Sequence, residues 1–193
     1  MTATTGIGME KEVTALFADL VDFAAISEIT QPSVVVRILN GYFESMSQAI
    51  TRHRGHVSTF KGDGILALFG STTPNPWQGD DAVHAALDML RALTAYNEEL
   101  TSGGLPALTL GIGLQRGTSV GELVGNRELK EFTFTGDTVN VAARVQDLTR
   151  QFAVDIILTE TLKQTVDPTF ATRALPDTSV KGVEKPLAIH ALE

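Results

Sequence analysis

A chain of 193 residues, 43% hydrophobic and 20% charged, has the size and composition of one globular domain with enough length to bury a real core. Its formal net charge of −8 argues against sequence-independent nucleic-acid binding, which relies on basic surface, although phosphates can still be met locally by metal ions and a few cations. The absence of cysteine excludes disulfides and thiolate metal sites and fits the expected cytoplasmic location. No apolar run reaches the roughly 18 residues of a membrane helix, and Met1–Gly8 lacks the basic and apolar regions of a signal peptide, so no membrane contact is expected from this segment.

Residues 1–10 are small and polar and read as a lead-in or linker, with 11–193 as the folded domain. Val13–Leu20 is apolar on both parities, the pattern of a buried strand. Thr30-Gln31-Pro32 opens a helix whose one face carries Val34, Val35, Ile38, Leu39, Tyr42, Phe43, Met46 and Ile50, and Gly55 ends it. His56–Phe60 and Ile65–Phe69 flank a Lys61-Gly62-Asp63-Gly64 turn, which predicts a tight hairpin. Ser71–Gly79 is a loop, Asp80–Leu100 a second amphipathic helix, and Thr101–Pro106 a break. Leu108–Leu114 and Ser119–Val124 read as two strands, with Gly117 and Gly121 as hairpin and packing residues, and Gly125–Lys130 as a polar connection. Phe132–Phe134 is a short strand; a turn at Gly136 leads to a helix capped by Asp137 or Thr138 and running to about Arg150. Asp155–Leu158 is a strand, Glu160–Gln164 a short helix, and Val180–Leu192 ends in a strand. The order β-α-β-β-α-β, with further strands behind it, is the plan of an α+β, ferredoxin-like fold with an antiparallel-sheet core.

Two carboxylates stand out. Asp19 ends the first strand and Asp63 occupies the hairpin turn, and in a ferredoxin-like sheet those two places can converge. A buried carboxylate is costly unless paired or bound to a cation. Two of them with a backbone carbonyl suit Mg²⁺ or Mn²⁺, phosphate oxygens completing the shell. Singly, Asp63 would only form an Asp-Gly turn and Asp19 would only cap the next helix; together they favour a metal site. A second set, Asn140 and Arg144, is four apart on one helical face among Val139, Val141, Ala142 and Ala143. Asn offers a donor and an acceptor, and Arg a planar fork suited to phosphate.

At these residues the chain resembles the class III nucleotidyl cyclases, the adenylate and guanylate cyclases. The resemblance runs from about Val13 to the last strand. It rests on Phe17-Ala18-Asp19-Leu20-Val21, the Gly62-Asp63 hairpin, and Gly136-Asp137-Thr138-Val139-Asn140-Val141-Ala142-Ala143-Arg144. It implies that Asp19 and Asp63, with the Leu20 carbonyl, hold two divalent metal ions, Mg²⁺ or Mn²⁺, and that the Leu20, Val21, Asp22 and Phe23 backbone lies against the triphosphate. It also implies that Asn140 orients the ribose, Arg144 stabilises charge at the reacting phosphorus, and Lys181 contacts the triphosphate. In the family the site forms between two catalytic domains, so a homodimer is implied, with a lone chain inactive. The implied reaction is attack of the ribose 3′-hydroxyl on the α-phosphorus with loss of pyrophosphate, in the manner of two-metal phosphoryl transfers with ions ~3.5–4 Å apart.

The base pocket departs from the pattern. Adenylate cyclases usually carry a lysine where Thr59 stands; the partner position, Thr133, matches a bacterial threonine-bearing subgroup. Lys61 points to the same side as Thr59 if the strand stays extended, and is either a substitute for the missing lysine or, the favoured reading, a solvated turn residue. Neither the glutamate nor the cysteine of guanylate-specific members is present, which favours ATP over GTP. Ala24 replaces a common threonine after Phe23. The alternatives carried are a guanylate cyclase and a catalytically silent cyclase-like domain. Gly117-Thr118-Ser119-Val120-Gly121 matches a hydrolase pattern, but that pattern needs a strand-to-helix elbow and the residues that follow continue as a strand. His53 and His56 straddle a helix end without further ligands and are read as surface or turn residues. Gly111-Ile112-Gly113 lacks the dinucleotide fingerprint. No Gly-Gly-(Asp/Glu)-Glu-Phe turn of a diguanylate cyclase is present at the hairpin.

Overall fold

The computed structural model describes residues 9–125 and 130–193, and the side chains of 9–121 and 134–193. In chain order the elements are β1 (Met9–Leu20), α1 (Phe23–Ile29), α2 (Pro32–Arg52), β2 (His56–Lys61), β3 (Gly64–Phe69), α3 (Gln78–Ser102), β4 (Leu110–Gly125), β5 (Lys130–Thr135), α4 (Asp137–Phe152), β6 (Ile156–Thr159), α5 (Glu160–Lys163), β7 (Thr172–Ala174) and β8 (Ile189–Leu192). The sheet runs β2-β3-β1-β4-β6-β8-β7, with β5 on β4. Its first four strands are all antiparallel, in the order that βαββαβ connectivity requires of a ferredoxin-like core. A parallel β4–β6 pair extends it.

Alternation along β1 sorts the two faces. Leu16, Ala18 and Leu20 join Ile65, Ala67 and Phe69 of β3 against α2 and α3, where Ile38, Tyr42, Met46, Val83, Ala86 and Met89 are fully buried. Each large apolar side chain buried there contributes roughly 1.5–3 kcal/mol. Val13, Ala15 and Phe17 turn the other way, with Leu66 and Leu68, to meet Phe134, Val139 and Ala142. Asp19 has the parity of that second face, the one α4 covers.

Three expectations need correction. The first strand begins at Met9, so Met9 and Glu10 belong to the sheet; the rest of the proposed lead-in lies outside the described residues. A short helix, α1, follows the first strand directly; its N-cap Asp22 is left-handed (φ 56°) and makes no side-chain cap bond, so the aspartate does not act as the start signal its residue type offers. The two strands around Gly117 are one 16-residue strand, β4. Its glycines are not turns but a bare track for α4. A Cβ on Gly111 would stand 2.2 Å from Thr149 Oγ1, one on Gly113 2.3 Å from the Ala142 carbonyl oxygen, and one on Gly117 2.6 Å from Thr138 Oγ1. The tail Val180–Leu192 ends in a strand as expected: β8 starts at Ile189, is preceded by a bridge between Thr178 and Leu187, and pairs with an unanticipated β7.

Candidate active site

Antiparallel pairing of β1 with β3 brings the end of β1 beside the β2–β3 turn, and Ala18 faces Ile65 there. Asp19 and Asp63 are accordingly in contact, their carboxyls sharing a hydrogen bond. Burial, then the Asp63 charge and that hydrogen bond, push Asp19 up from 3.8 to about 7. The Leu20 backbone N–H, donating to Asp19 Oδ1 at 3.0 Å, only partly opposes this, and Asp147 on α4 adds a further negative charge. Tyr42 reaches the same place from α2. Its hydroxyl is fully buried without a hydrogen-bond partner among the described residues, and burial followed by the charges of Asp19 and Asp63 holds its phenol above the usual range. Half-buried, mutually repelling carboxyls call for a cation, so this donor set fits divalent metal binding. Among the described residues no third carboxylate or histidine completes a protein-only cage.

The chain then leaves β1 by a fixed loop. The Val21 N–H donates to the Thr109 carbonyl at 2.8 Å, Asp22 takes its left-handed conformation, and its carboxylate lies 3.3 Å from the Arg150 guanidinium of α4. Phe23 anchors the far end in the core.

Asn140 and Arg144 stand in a different place. With Gln115, Asp137 and Val141 they line a cleft of about 490 Å³, closed on its other side by Lys181, Gly182, Val183, Glu184, Lys185 and Leu187. Neither Asp19 nor Asp63 lines this cleft. Position along α4 explains the separation: Asn140 and Arg144 lie in its first two and a half turns or so, whereas Asp147 and Arg150, which face Asp19 and Asp22, lie towards its C-terminal end. Among the described residues no carboxylate pairs with Arg144, Lys181 or Lys185, so three cations front the cleft without a partner.

Thr59 and Lys61 lie on the Asp19 face. The β2–β3 register is shifted between Val57 and Thr59 but regular from Thr59 to Lys61, so these two share one side, while Phe60 between them packs on Phe43 of α2 with ring centroids 4.5 Å apart. Lys61 is exposed and ends the strand. Thr133 falls in β5 opposite Glu122; its side chain lies outside the described residues. His53 Nε2–H donates to Asp88 Oδ2 at 2.6 Å and its ring stacks on His84, while His56 is exposed.

The profile of the adenylate and guanylate cyclase catalytic domain matches residues 7–193. The chain belongs to that family. It is 36% identical to an adenylate cyclase of Anabaena cylindrica over 97% of its own length, and 31% identical to adenylate cyclase 1 of Rhizobium meliloti (strain 1021) over 93%. It spans only 38% and 27% of those two proteins. Among solved structures, it resembles the guanylyl cyclase Cya2 (TM-score 0.87, 30% identity, 96% of this chain and 93% of that one). It shares its fold with the adenylyl cyclase CyaB from P. aeruginosa (TM-score 0.90, 21% identity, 97% and 96% covered).

Within this cyclase domain, sequence reasoning missed Gln115, Lys185 and Tyr42. Lys185 follows Lys181 by four residues in a loop without periodicity, so nothing local ties it to a cleft. Tyr42 sits on the apolar face of α2 and reads as core, which it also is. Gln115 is an uncharged residue in mid-strand; its only signal is that it interrupts the glycine row Gly111, Gly113, Gly117 at even spacing.

Proposed function

We propose that this domain converts a nucleoside triphosphate, ATP by preference, to its 3′,5′-cyclic monophosphate and pyrophosphate, at sites shared between two copies of the chain. The observation that carries the reading is the division of charge about α4. An acidic pair, Asp19 and Asp63, lies towards its C-terminal end beside Asp147, and a cleft with Asn140, Arg144 and Lys181, in which cations outnumber carboxylates, lies along its N-terminal half. A nucleotide meeting both kinds of group takes the acidic half from one chain and the cationic half from another.

Asp19 and Asp63, with the Leu20 carbonyl, would hold two divalent cations. When bound, such ions acidify the ribose 3′-hydroxyl and neutralise phosphate oxygens. Asn140 orients the ribose, Arg144 donates to the α-phosphate oxygens as negative charge grows in the transition state, and Lys181 and Lys185 bind the β- and γ-phosphates. The 3′-oxygen–phosphorus bond forms as the bond from phosphorus to the bridging oxygen breaks, and the electron pair leaves with pyrophosphate. The Leu20–Phe23 backbone, tied by Val21 to Thr109, gives the triphosphate a fixed floor.

ATP is favoured by Thr133, by the absence of a guanine signature, and by the two adenylate cyclases among the relatives. Thr59 at the usual lysine position and the likeness to the guanylyl cyclase Cya2 favour a second reading, cyclisation of GTP. Incubation with ATP, GTP, CTP or UTP and Mn²⁺ separates them: ATP should give the most cyclic product, and no cyclic product from any of the four sinks the enzyme reading. Shared sites are tested by complementation. Asp63→Ala and Arg144→Ala chains should each be inactive and recover part of the activity when mixed; no recovery counts against the dimer.

A further inference from the structure

Along the face of β4 that carries α4, positions 111, 113 and 117 are glycines pressed against the helix, and Gln115 is the one side chain in the row. It emerges at the floor of the cleft that Asn140, Arg144, Lys181 and Lys185 line. Its oxygen is already used. The Thr159 hydroxyl, which as N-cap of α5 takes the Leu162 N–H, donates its own proton to Gln115 Oε1. A carboxamide whose oxygen is pinned in this way must present its NH₂ elsewhere. Among the described residues that NH₂ has no partner.

We propose that Gln115 is a substrate-contacting residue, its NH₂ donating a hydrogen bond to a phosphate oxygen of the bound nucleotide, with Thr159 as the positioning residue that fixes the amide. A phosphate oxygen is the acceptor the surroundings select, because Arg144, Lys181 and Lys185 outnumber Asp137 and Glu184 among the charged side chains that line the cleft. The assignment rests on the cyclase reading above for the identity of the ligand, and on the Gln115–Thr159 geometry for the contact itself.

The test compares wild type with Gln115→Met, which keeps the length and lacks the donor, and with Thr159→Val, which leaves the amide free to turn. Binding of inorganic tripolyphosphate in the presence of Mg²⁺ is measured by calorimetry, beside the KM for cyclisation. Gln115→Met should weaken tripolyphosphate binding and raise KM on the order of 10- to 100-fold, the loss that goes with a hydrogen bond to a charged group, and Thr159→Val several-fold less. Gln115→Asn, with a shorter arm but a retained donor, should recover part of the loss, and Gln115→Ala, which also lacks the donor, serves in place of Gln115→Met if that variant fails to fold. Unchanged tripolyphosphate binding in Gln115→Met, a loss confined to the nucleotide and absent for tripolyphosphate, or no tripolyphosphate binding by wild type would each overturn the assignment. A wild-type chain that binds tripolyphosphate normally but forms no cyclic product removes the enzyme reading and leaves Gln115 to be judged on binding alone.

Discussion

Asp19→Asn should stabilise the metal-free protein at alkaline pH and leave it unchanged in acid. Asp19 titrates near 7 when folded and near 3.8 when free, because burial and Asp63 disfavour its anion. Between those two values the folded state holds more protons than the unfolded one, so stability falls as pH rises from about 4 to about 7 and the full cost is present above 7. At about 1.36 kcal/mol per pH unit the ceiling is about 4 kcal/mol. Asp19 is only half-buried, so solvent screening reduces the expected effect to about 1–2 kcal/mol. Asparagine keeps the acceptor for the Leu20 N–H while removing the charge. Chemical denaturation of both proteins in a chelator, at matched protein concentration and at pH 5 and pH 8, reads the difference. The variant should lead by about 1–2 kcal/mol at pH 8, a melting shift of roughly 2–4 °C per kcal/mol for a chain of this size, and the lead should shrink towards pH 5. Mn²⁺ should then raise the wild-type melting temperature and not that of the variant. A variant no more stable than wild type at pH 8, or a lead that does not change with pH, would refute the reasoning.

Gly113→Ala should cost about 1–3 kcal/mol by calorimetric or urea unfolding, because its Cβ meets backbone atoms of Ala142 and Gln146 at 2.3 and 2.4 Å and neither can rotate away. Tyr42→Phe should leave the metal-free protein as stable or raise its stability by about 1 kcal/mol, since the hydroxyl it removes is buried without a partner among the described residues; a loss larger than about 1 kcal/mol would mean that the hydroxyl has a partner after all.

The meeting of Asp19 and Asp63 was legible because it is written locally: an acidic residue at the end of an apolar run and another in a Gly-rich turn, with strand pairing to bring them together. The shared face of Thr59 and Lys61 was legible by strand alternation, and the register bears this out despite the irregularity at Ser58. The glycines of β4 were not, because glycine marks a turn and a close approach equally well, and only the position of α4 distinguishes them. Gln115 depends on Thr159, 44 residues away across a parallel strand pair, a relation no local pattern records. The start of α1 makes no side-chain cap bond, so its existence follows from Phe23 being drawn into the core rather than from its capping residue.

Helix α4 ties these observations together. Its C-terminal turns face an acidic junction where Asp147 adds to the charge felt by Asp19 and where Arg150 pairs with Asp22; its N-terminal half presents Arg144 to the cleft that Lys181 and Lys185 also line. In a lone chain the two halves of the helix therefore face groups of opposite net charge. Two copies related by a two-fold axis would set the acidic junction of each against the cationic cleft of the other, a self-complementary arrangement that closes after two subunits. With nucleotide and divalent cations between them, the carboxylates gain counter-ions and the cations gain phosphates. On this account the α4 helix, resting on a row of β4 positions (111, 113, 115, 117) bare except for Gln115, sets the distance between the two halves of neighbouring sites. Widening that contact, as Gly113→Ala does, should reduce cyclisation more than the modest loss of stability alone explains.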